Sequence, residues 1–413
     1  MNERKNKLQL IFTPLLIVIL LVLCITCSSA PDRQSNVSIS PYKIGNRNVS
    51  PNARRLMNYL EDTYGQYIIS GQMDTTWSTN GQSDMISRVF ADTGKYPAIK
   101  GFDLMEIPIS SGGFGQQQID EAIEWWEGKN RINSVNITSL TTLLPDQPDI
   151  HGIVTFCWHW RMPAFIGNVP QFYSGRTGFR IPWRNGRLDT RSADFRLIME
   201  DLDKAAALLQ QLKDLDIPVL WRPLHEAAGN WTLFNSTGAW FWWGASGPQP
   251  YIALWEFMHD YFTNVKNLDN LIWVWNGQNE DWYPNPDTVD IAGYDYYPWP
   301  RNTPQTAQNY NSQVSLYRRT RNMAEGQRMV AMTENGAIPD PDKCKEDGAM
   351  WLWFMVWNDG QRNNWIAQNG KDHADNFWSG EFHNIQAHKE HVYNHDLVIT
   401  LDKLPDLTNY RLE

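Results

Sequence analysis

The stretch PVLWRPLHEAAGNW (218–231) decides how this chain reads. It begins apolar, as a buried strand does, and then sets Arg222, His225 and Glu226 within five positions. Burying charge is costly unless it is paired, so a strand interior rarely carries such a trio. The end of a strand that leaves the core for a pocket can carry one. The fold therefore turns on whether other apolar runs end in the same way.

They do. The other runs are YIISG (67–71), AIKGFD (98–103), GIVTFCWHW (152–160), LIWVWN (271–276), IAGYDYY (291–297), MVAMTENG (329–336) and MWLWFMVWND (350–359). Between them lie FRLIMEDLDKAAALLQQLKDL (195–215), YIALWEFMHDYFTNV (251–265) and AQNYNSQVSLYRRTRNMA (307–324). In the first of these Leu and Ile recur three and four apart, and all three are expected as helices. Eight strands alternating with helices predict an α/β chain, a (β/α)8 TIM barrel forming one catalytic domain over 51–413. Only 14 residues separate LIWVWN from IAGYDYY, which predicts an irregular crossover there. The alternative, a doubly wound open sheet, would carry a glycine-rich phosphate loop after an early strand, and no such loop occurs.

Seven runs finish in Asp103, His159, Glu226, Asn276, Tyr297, Glu334 and Asn358. A barrel sends the C-terminal ends of all its strands into one mouth, so these side chains are expected to share a pocket. The composition indicates what the pocket holds. The chain has 21 Trp, 16 Tyr and 16 Phe. Trp and Tyr combine a flat apolar face with a polar edge, which matches a sugar ring. A tryptophan-rich core is the plainer account of part of that number.

Glu226 and Glu334 close the fourth and seventh runs, on nearly opposite walls of the expected mouth. Two carboxyl groups about 5–5.5 Å apart are what retaining glycoside hydrolysis requires, one as nucleophile and one as acid/base. Arg222 lies four residues before Glu226, and on a strand both side chains face the same way, so Arg222 is expected to hold a carboxylate ionised. His225 adjoins Glu226, and Tyr297 is placed to donate to the nucleophile. His159, Trp160, Trp231 and Trp357 are expected as the walls and floor.

The N-terminus has a separate logic. Arg4, Lys5 and Lys7 precede the apolar run 8–26, and Cys27 opens the small polar stretch CSSA. This predicts a lipoprotein signal peptide over 1–26, lipidation of Cys27 and a polar tether over 27–50. An uncleaved membrane anchor is the alternative, since the run is long enough to span a bilayer. Either way the rest of the chain is exported, and the lipid is its only expected membrane contact. Removing residues 1–26 takes away three basic groups and Glu3, shifting the formal net charge from −10 to −12. No basic cluster stands out, so nucleic acid is not expected as a partner. Beyond the CITC (24–27) at the end of the expected signal peptide, no CxxC or HExxH spacing appears, so neither metal nor cofactor is expected.

The motifs resemble those of glycoside hydrolase family 26, chiefly β-mannanases built as retaining (β/α)8 barrels. The matching pieces are GFD (101–103), GIVTFCWH (152–159), WRPLHE (221–226), FWWG (241–244), LIWVWN (271–276), IAGYDYY (291–297), TENG (333–336) and VWND (356–359). The resemblance implies Glu226 as acid/base and Glu334 as nucleophile. It implies that His159, His225, Trp231, Tyr297 and Trp357 line the subsite at the scissile bond, with Asp103 and Trp160 in the sugar-binding set. Tyr297 is taken over Tyr296 because the family's sixth strand reads G-x-D-x-Y, met by Gly293, Asp295 and Tyr297; Asp295 joins Arg222 as a supporting residue. The implied substrate is a β-1,4-mannan polysaccharide or oligosaccharide, and the implied state is a monomer. β-1,3-xylan and mixed-linkage glucan are alternatives within the family, and a non-catalytic glycan-binding lipoprotein is one outside it. One departure stands out: TLFNSTGAW (232–240) separates Trp231 from FWWG, which leaves Trp231 or Trp240 in the family position.

Overall fold

The computed structural model describes residues 49–74, 84–105, 107, 114–134, 137–143, 150–163, 171–231, 238–359 and 373–412. All lie within one compact unit, Ser40–Glu413. The expected signal peptide, Cys27, most of the tether and residues 232–237 of the insertion lie outside the described residues.

Strands form where the apolar runs predict them. β1 (Ile68–Met73) and β2 (Ile99–Asp103) come first, followed by the hairpin β3 (Lys129–Ser134) and β4 (Ile137–Leu143). β5 (Ile153–Cys157), the short hairpin β6 (Trp183–Arg184) and β7 (Arg187–Leu188), and β8 (Val219–Arg222) come next. β9 (Leu271–Trp275), β10 (Ile291–Tyr296), β11 (Met329–Asn335), β12 (Trp353–Val356) and β13 (Val398–Ile399) complete the set. The sheet order is β12-β11-β10-β9-β8-β5-β2-β1, and β12 pairs back onto β1. All eight neighbouring pairs are parallel, so the sheet closes into a barrel. β13 adds in parallel beside the start of β1. This is the (β/α)8 architecture.

The helices are α1 (Pro51–Thr63), α2 (Met85–Thr93), α3 (Phe114–Trp126), α4 (Ala193–Asp214), α5 (Pro248–Asp260), α6 (Pro304–Ala307), α7 (Val314–Met323), α8 (Pro341–Asp347) and α9 (Gln386–Tyr393). α4 shows how sequence sets them. The Ser192 side chain caps the Phe195 N–H, Asp194 sits in the first turn and Lys213 in the last, each complementing the helix dipole. Ile198, Leu202, Ala205, Leu209 and Leu212 make its buried face. The β9–β10 crossover holds only two 3-10 turns, Glu280–Trp282 and Pro286–Thr288, as its length requires.

One expected helix is interrupted. Of the stretch 307–324, Ala307 ends α6 and only Val314–Met323 forms α7, because Asn309 accepts from the Asn311 backbone and Gln313 adopts φ 56°. Side chains that hydrogen-bond their own backbone compete with helix, and NYNSQ offers several.

Most of the tryptophans are packing rather than platform. Trp158, Trp221, Trp255, Trp273, Trp275, Trp351 and Trp353 are among those with almost no exposure. Met73, Thr155, Cys157, Arg222, Thr333, Trp353 and Met355 line the small space left inside the barrel. A buried ion pair braces its second strand: Lys100 Nζ lies 2.9 Å from Asp74 and 3.4 Å from Glu121 of α3.

The expectation of no basic cluster is corrected. Arg184, Arg187 and Arg191 line one groove, because the β6–β7 hairpin reverses the chain and gathers arginines three and four residues apart.

Candidate active site

The fourth barrel strand ends at Arg222, and the chain then leaves extended geometry. Leu224 has φ 52° and Glu226 has φ 51°. Left-handed backbone at two non-glycine residues is strained, and it persists only where surrounding contacts impose it. Here the Glu226 N–H donates to the Asn276 carbonyl at 2.8 Å and to Asn276 Oδ1 at 3.1 Å. Asn276 itself donates to Thr333 Oγ1, and Thr333 donates to Asp295 Oδ1, both at 2.7 Å. Gly293 makes this possible, since a Cβ there would collide with the Thr333 side chain.

The same departure from strand geometry corrects the expected geometry at Arg222. Alternation does not carry across Leu224, so Arg222 does not pair with Glu226. Its Nη1 donates to Asp295 Oδ2 at 3.1 Å and its Nη2 to Glu334 Oε1. A register shift between β10 and β11 sets Asp295 directly beside Glu334, as irregularities near functional sites often do. Tyr297 donates its hydroxyl to Glu334 Oε2 at 2.8 Å. Glu334 thus accepts one charged and one neutral donor, while among the described residues Glu226 accepts only from Gln278 Nε2, at 3.3 Å.

Glu226, Asp295 and Glu334 bring carboxylate oxygens within 4.8 Å of one another. Burial, then Asp295 and Glu334, pushes Glu226 well above the usual carboxylate range. Glu334 is pushed up to about 7, by burial first and Asp295 next, while Arg222 and His159 pull it back. The two carboxyls are therefore unequal. Glu226 keeps a proton in conditions where Glu334 gives its proton up.

Histidines form the adjoining wall. His159 receives support at both ends: its N–H meets Asp103 Oδ1 at 2.9 Å, and Nδ1 lies 2.7 Å from Asp103 Oδ2. Burial lowers the affinity of His159 for its proton, but Asp103 outweighs this and the net direction is upward. His225 is pushed well below the usual imidazole range by burial, then by His159 and Arg222. The two Nε2 atoms are 3.2 Å apart, so a protonated His159 donates to a neutral His225. Trp357 lies 5.6 Å from His159, ring centre to ring centre.

The expected residues thus fall into three groups. Glu226, Glu334, His159, His225, Tyr297 and Trp357 converge, with Arg222 and Asp295 beneath them. Asp103 is fully buried and spends both oxygens on His159, so it supports the wall rather than meeting sugar. Trp160 does not reach the pocket. It is fully buried, stacks on Trp158 and donates Nε1 to Asp201 of α4, because β5 has ended and its next side chains turn outward. Trp231 is half-buried and packs edge-on against Trp282. Trp240 is 38% exposed.

Several residues were not anticipated. Phe241 stacks on Trp243 and lies 5.5 Å from His159 and 5.3 Å from His225. Arg301 holds its guanidinium 5.5 Å from the centres of both the Tyr297 and Phe377 rings. Gln278 bears on Glu226. Phe241 was inside the FWWG motif; Gln278, Arg301 and Phe377 sit in loops without periodic signal.

A (β/α)8 barrel with two inequivalent buried carboxyls across one mouth is the arrangement of a retaining glycoside hydrolase. The chain belongs to Glycosyl hydrolase family 26, whose profile matches residues 45–402. It is 34% identical to the mannan endo-1,4-beta-mannosidase of Thermothelomyces thermophilus, across 91% of this chain and 64% of that one. It therefore spans about three-fifths of that relative, and it covers 53% of mannan endo-1,4-beta-mannosidase A of Piromyces, at 29% identity over 92% of this chain. Among solved structures, a Podospora anserina beta-(1,4)-mannanase superposes with TM-score 0.68 at 31% identity, covering 92% of this chain and 72% of that one. A beta-mannanase from a symbiotic protist of the termite Reticulitermes speratus, complexed with gluco-manno-oligosaccharide, gives 0.66 at 28%, covering 90% and 98%.

Proposed function

We propose that this chain hydrolyses β-1,4-mannosidic bonds in mannan, glucomannan or galactomannan, by double displacement with retention. The observation that carries the proposal is the carboxylate separation. Oxygens of Glu226 and Glu334 lie within 4.8 Å, near the spacing of about 5–5.5 Å for retaining enzymes and well under the roughly 6.5–9.5 Å of inverting ones. The relatives named mannan endo-1,4-beta-mannosidase support mannan as the substrate and internal cleavage as the mode.

In the first step Glu334 attacks C1 of the sugar, and Glu226 gives its proton to the departing glycosidic oxygen. The C1–O bond to the leaving chain breaks as the ester to Glu334 forms. In the second step Glu226, now ionised, takes a proton from water, whose oxygen displaces the Glu334 ester. The Tyr297 and Arg222 donors hold Glu334 charged before attack and accept it again as the leaving group. His159 and His225 supply the donor wall, and Trp357 an apolar face for the ring. No step calls for a metal or cofactor.

The N-terminal residues support export as a membrane-anchored lipoprotein, cleaved before Cys27 and acylated there, with the barrel on a polar tether. Cys27→Ser is expected to move the protein from the membrane fraction to the soluble one. The substrate reading is tested by product analysis on galactomannan, glucomannan, β-1,3-xylan and mixed-linkage glucan, with Glu334→Ala as control. Release from the mannans alone, lost in the variant, is expected. Release from xylan or glucan in preference to mannan overturns the substrate, and undiminished release by Glu334→Ala overturns the site. A rapid fall in mannan viscosity is expected of internal cleavage, and end-directed cleavage would leave viscosity high.

A further inference from the structure

The chain is acidic overall, with a formal net charge of −10. Against that background Arg176, Arg180, Arg184, Arg187, Arg191 and Arg196 are all exposed within one short segment. Arg184, Arg187 and Arg191 line a single groove of about 860 Å³ around the β6–β7 hairpin, together with Asn185 and Ser192. Asp189 also lines it, so three guanidiniums meet one carboxylate there. Among the described residues none of the three arginines forms an ion pair. Packing does not explain them either, since all three are exposed.

The segment also connects to the catalytic mouth. Arg176 lies over the Tyr173 ring, 5.6 Å from its centre. Tyr173 forms an antiparallel bridge with Phe241, the residue whose ring approaches His159 and His225. The first arginine of the segment, Arg176, therefore stands beside a residue that pairs with the catalytic wall.

From this we infer that the β6–β7 groove is a binding site for carboxylate-bearing polysaccharide, that is, uronate-containing chains lying alongside the glycan being cut. Guanidinium is a planar fork that matches a carboxylate with two parallel hydrogen bonds. Asn185, exposed on the same hairpin, supplies a partner for a hydroxyl flanking such a carboxylate. The concave groove suits a chain lying along it, and vesicle binding is the outcome that would instead assign the arginines to an anionic lipid surface. The groove anchors the enzyme on acidic matrix without taking part in bond cleavage. It stands apart from the mannan reading, since its ligand need not be a substrate.

The test is binding of oligogalacturonate to the full chain by calorimetry, with mannohexaose, inorganic phosphate and anionic phospholipid vesicles as parallel probes. Wild type is expected to bind oligogalacturonate, to lose affinity as salt rises, and to bind phosphate and vesicles at least tenfold more weakly. The triple variant Arg184→Ala/Arg187→Ala/Arg191→Ala is expected to lose that affinity at least tenfold while hydrolysing mannohexaose at the wild-type rate. Absent binding, undiminished binding by the triple variant, or equal affinity for the vesicles each overturns the inference. Loss of mannohexaose hydrolysis by the variant would tie the arginines to the fold or the cleft and overturn it too. Failure of wild type to cleave mannohexaose bears on the substrate alone, because the binding measurements stand independently.

Discussion

Removing one hydroxyl offers a quantitative check on how the nucleophile is held. Tyr297 donates to Glu334 Oε2 at 2.8 Å, and this bond favours the ionised carboxylate. A hydrogen bond to a charged group contributes about 1.5–3 kcal/mol. A tenfold change in proton affinity corresponds to about 1.4 kcal/mol, so Tyr297→Phe is expected to raise the Glu334 pKa by about 1–2 from its value of about 7. The sign follows from the donor: losing it destabilises the charged form, so the proton is held to higher pH. Activity requires Glu334 ionised, and the acid limb of kcat/KM therefore moves upward by the same amount. Below both limbs the variant is expected to be slower by roughly 10–100-fold, and the gap closes as pH rises past the shifted limb. The assay is kcat/KM for mannohexaose across the full pH range of stability for both proteins. A uniform fall at every pH, with the limb unmoved, would show that the hydroxyl does not hold Glu334 ionised and reduce Tyr297 to packing.

Other variants separate the remaining parts. Glu226→Gln deletes the proton donor and is expected to lower kcat on mannan by about 10²–10⁴-fold, with loss of the alkaline limb in the pH profile. Asp103→Asn removes the charge that keeps His159 protonated against burial. NMR titration of His159 is expected to show a lower pKa, and kcat/KM to fall roughly tenfold or more, in line with a charge-assisted bond of about 1.5–3 kcal/mol. Lys100→Met leaves Asp74 and Glu121 buried without their cation, and urea unfolding is expected to report a loss of about 3–5 kcal/mol.

The barrel was legible because its signal is repeated: eight apolar runs, seven of them followed by a polar terminus, leave little choice of architecture. Glu226 and Glu334 were legible for the same reason, as strand ends facing one mouth. Arg222 shows where strand logic stops. Period-2 alternation put its side chain on the face of Glu226 and left open which carboxylate it holds; the left-handed turns at Leu224 and Glu226 redirect the chain, and Arg222 pairs with Asp295 and Glu334. Asp103 and Trp160 had the right residue types at the right strand ends, yet burial gave them supporting and packing roles. Gln278, Arg301 and Phe377 reach the site from loops, and loop geometry depends on contacts far apart in sequence. The arginine groove was hidden by the net negative charge, since composition sums what the β6–β7 hairpin gathers in one place.

The proposed function rests on Glu226 and Glu334 working as a retaining pair on β-1,4-mannan. Proton NMR of mannohexaose hydrolysis reads this directly, through the anomeric form of the new reducing ends before mutarotation. β-Anomers are expected to appear first, with α-anomers following as they equilibrate. Initial release of α-anomers would contradict it, because a single displacement at C1 inverts the β linkage.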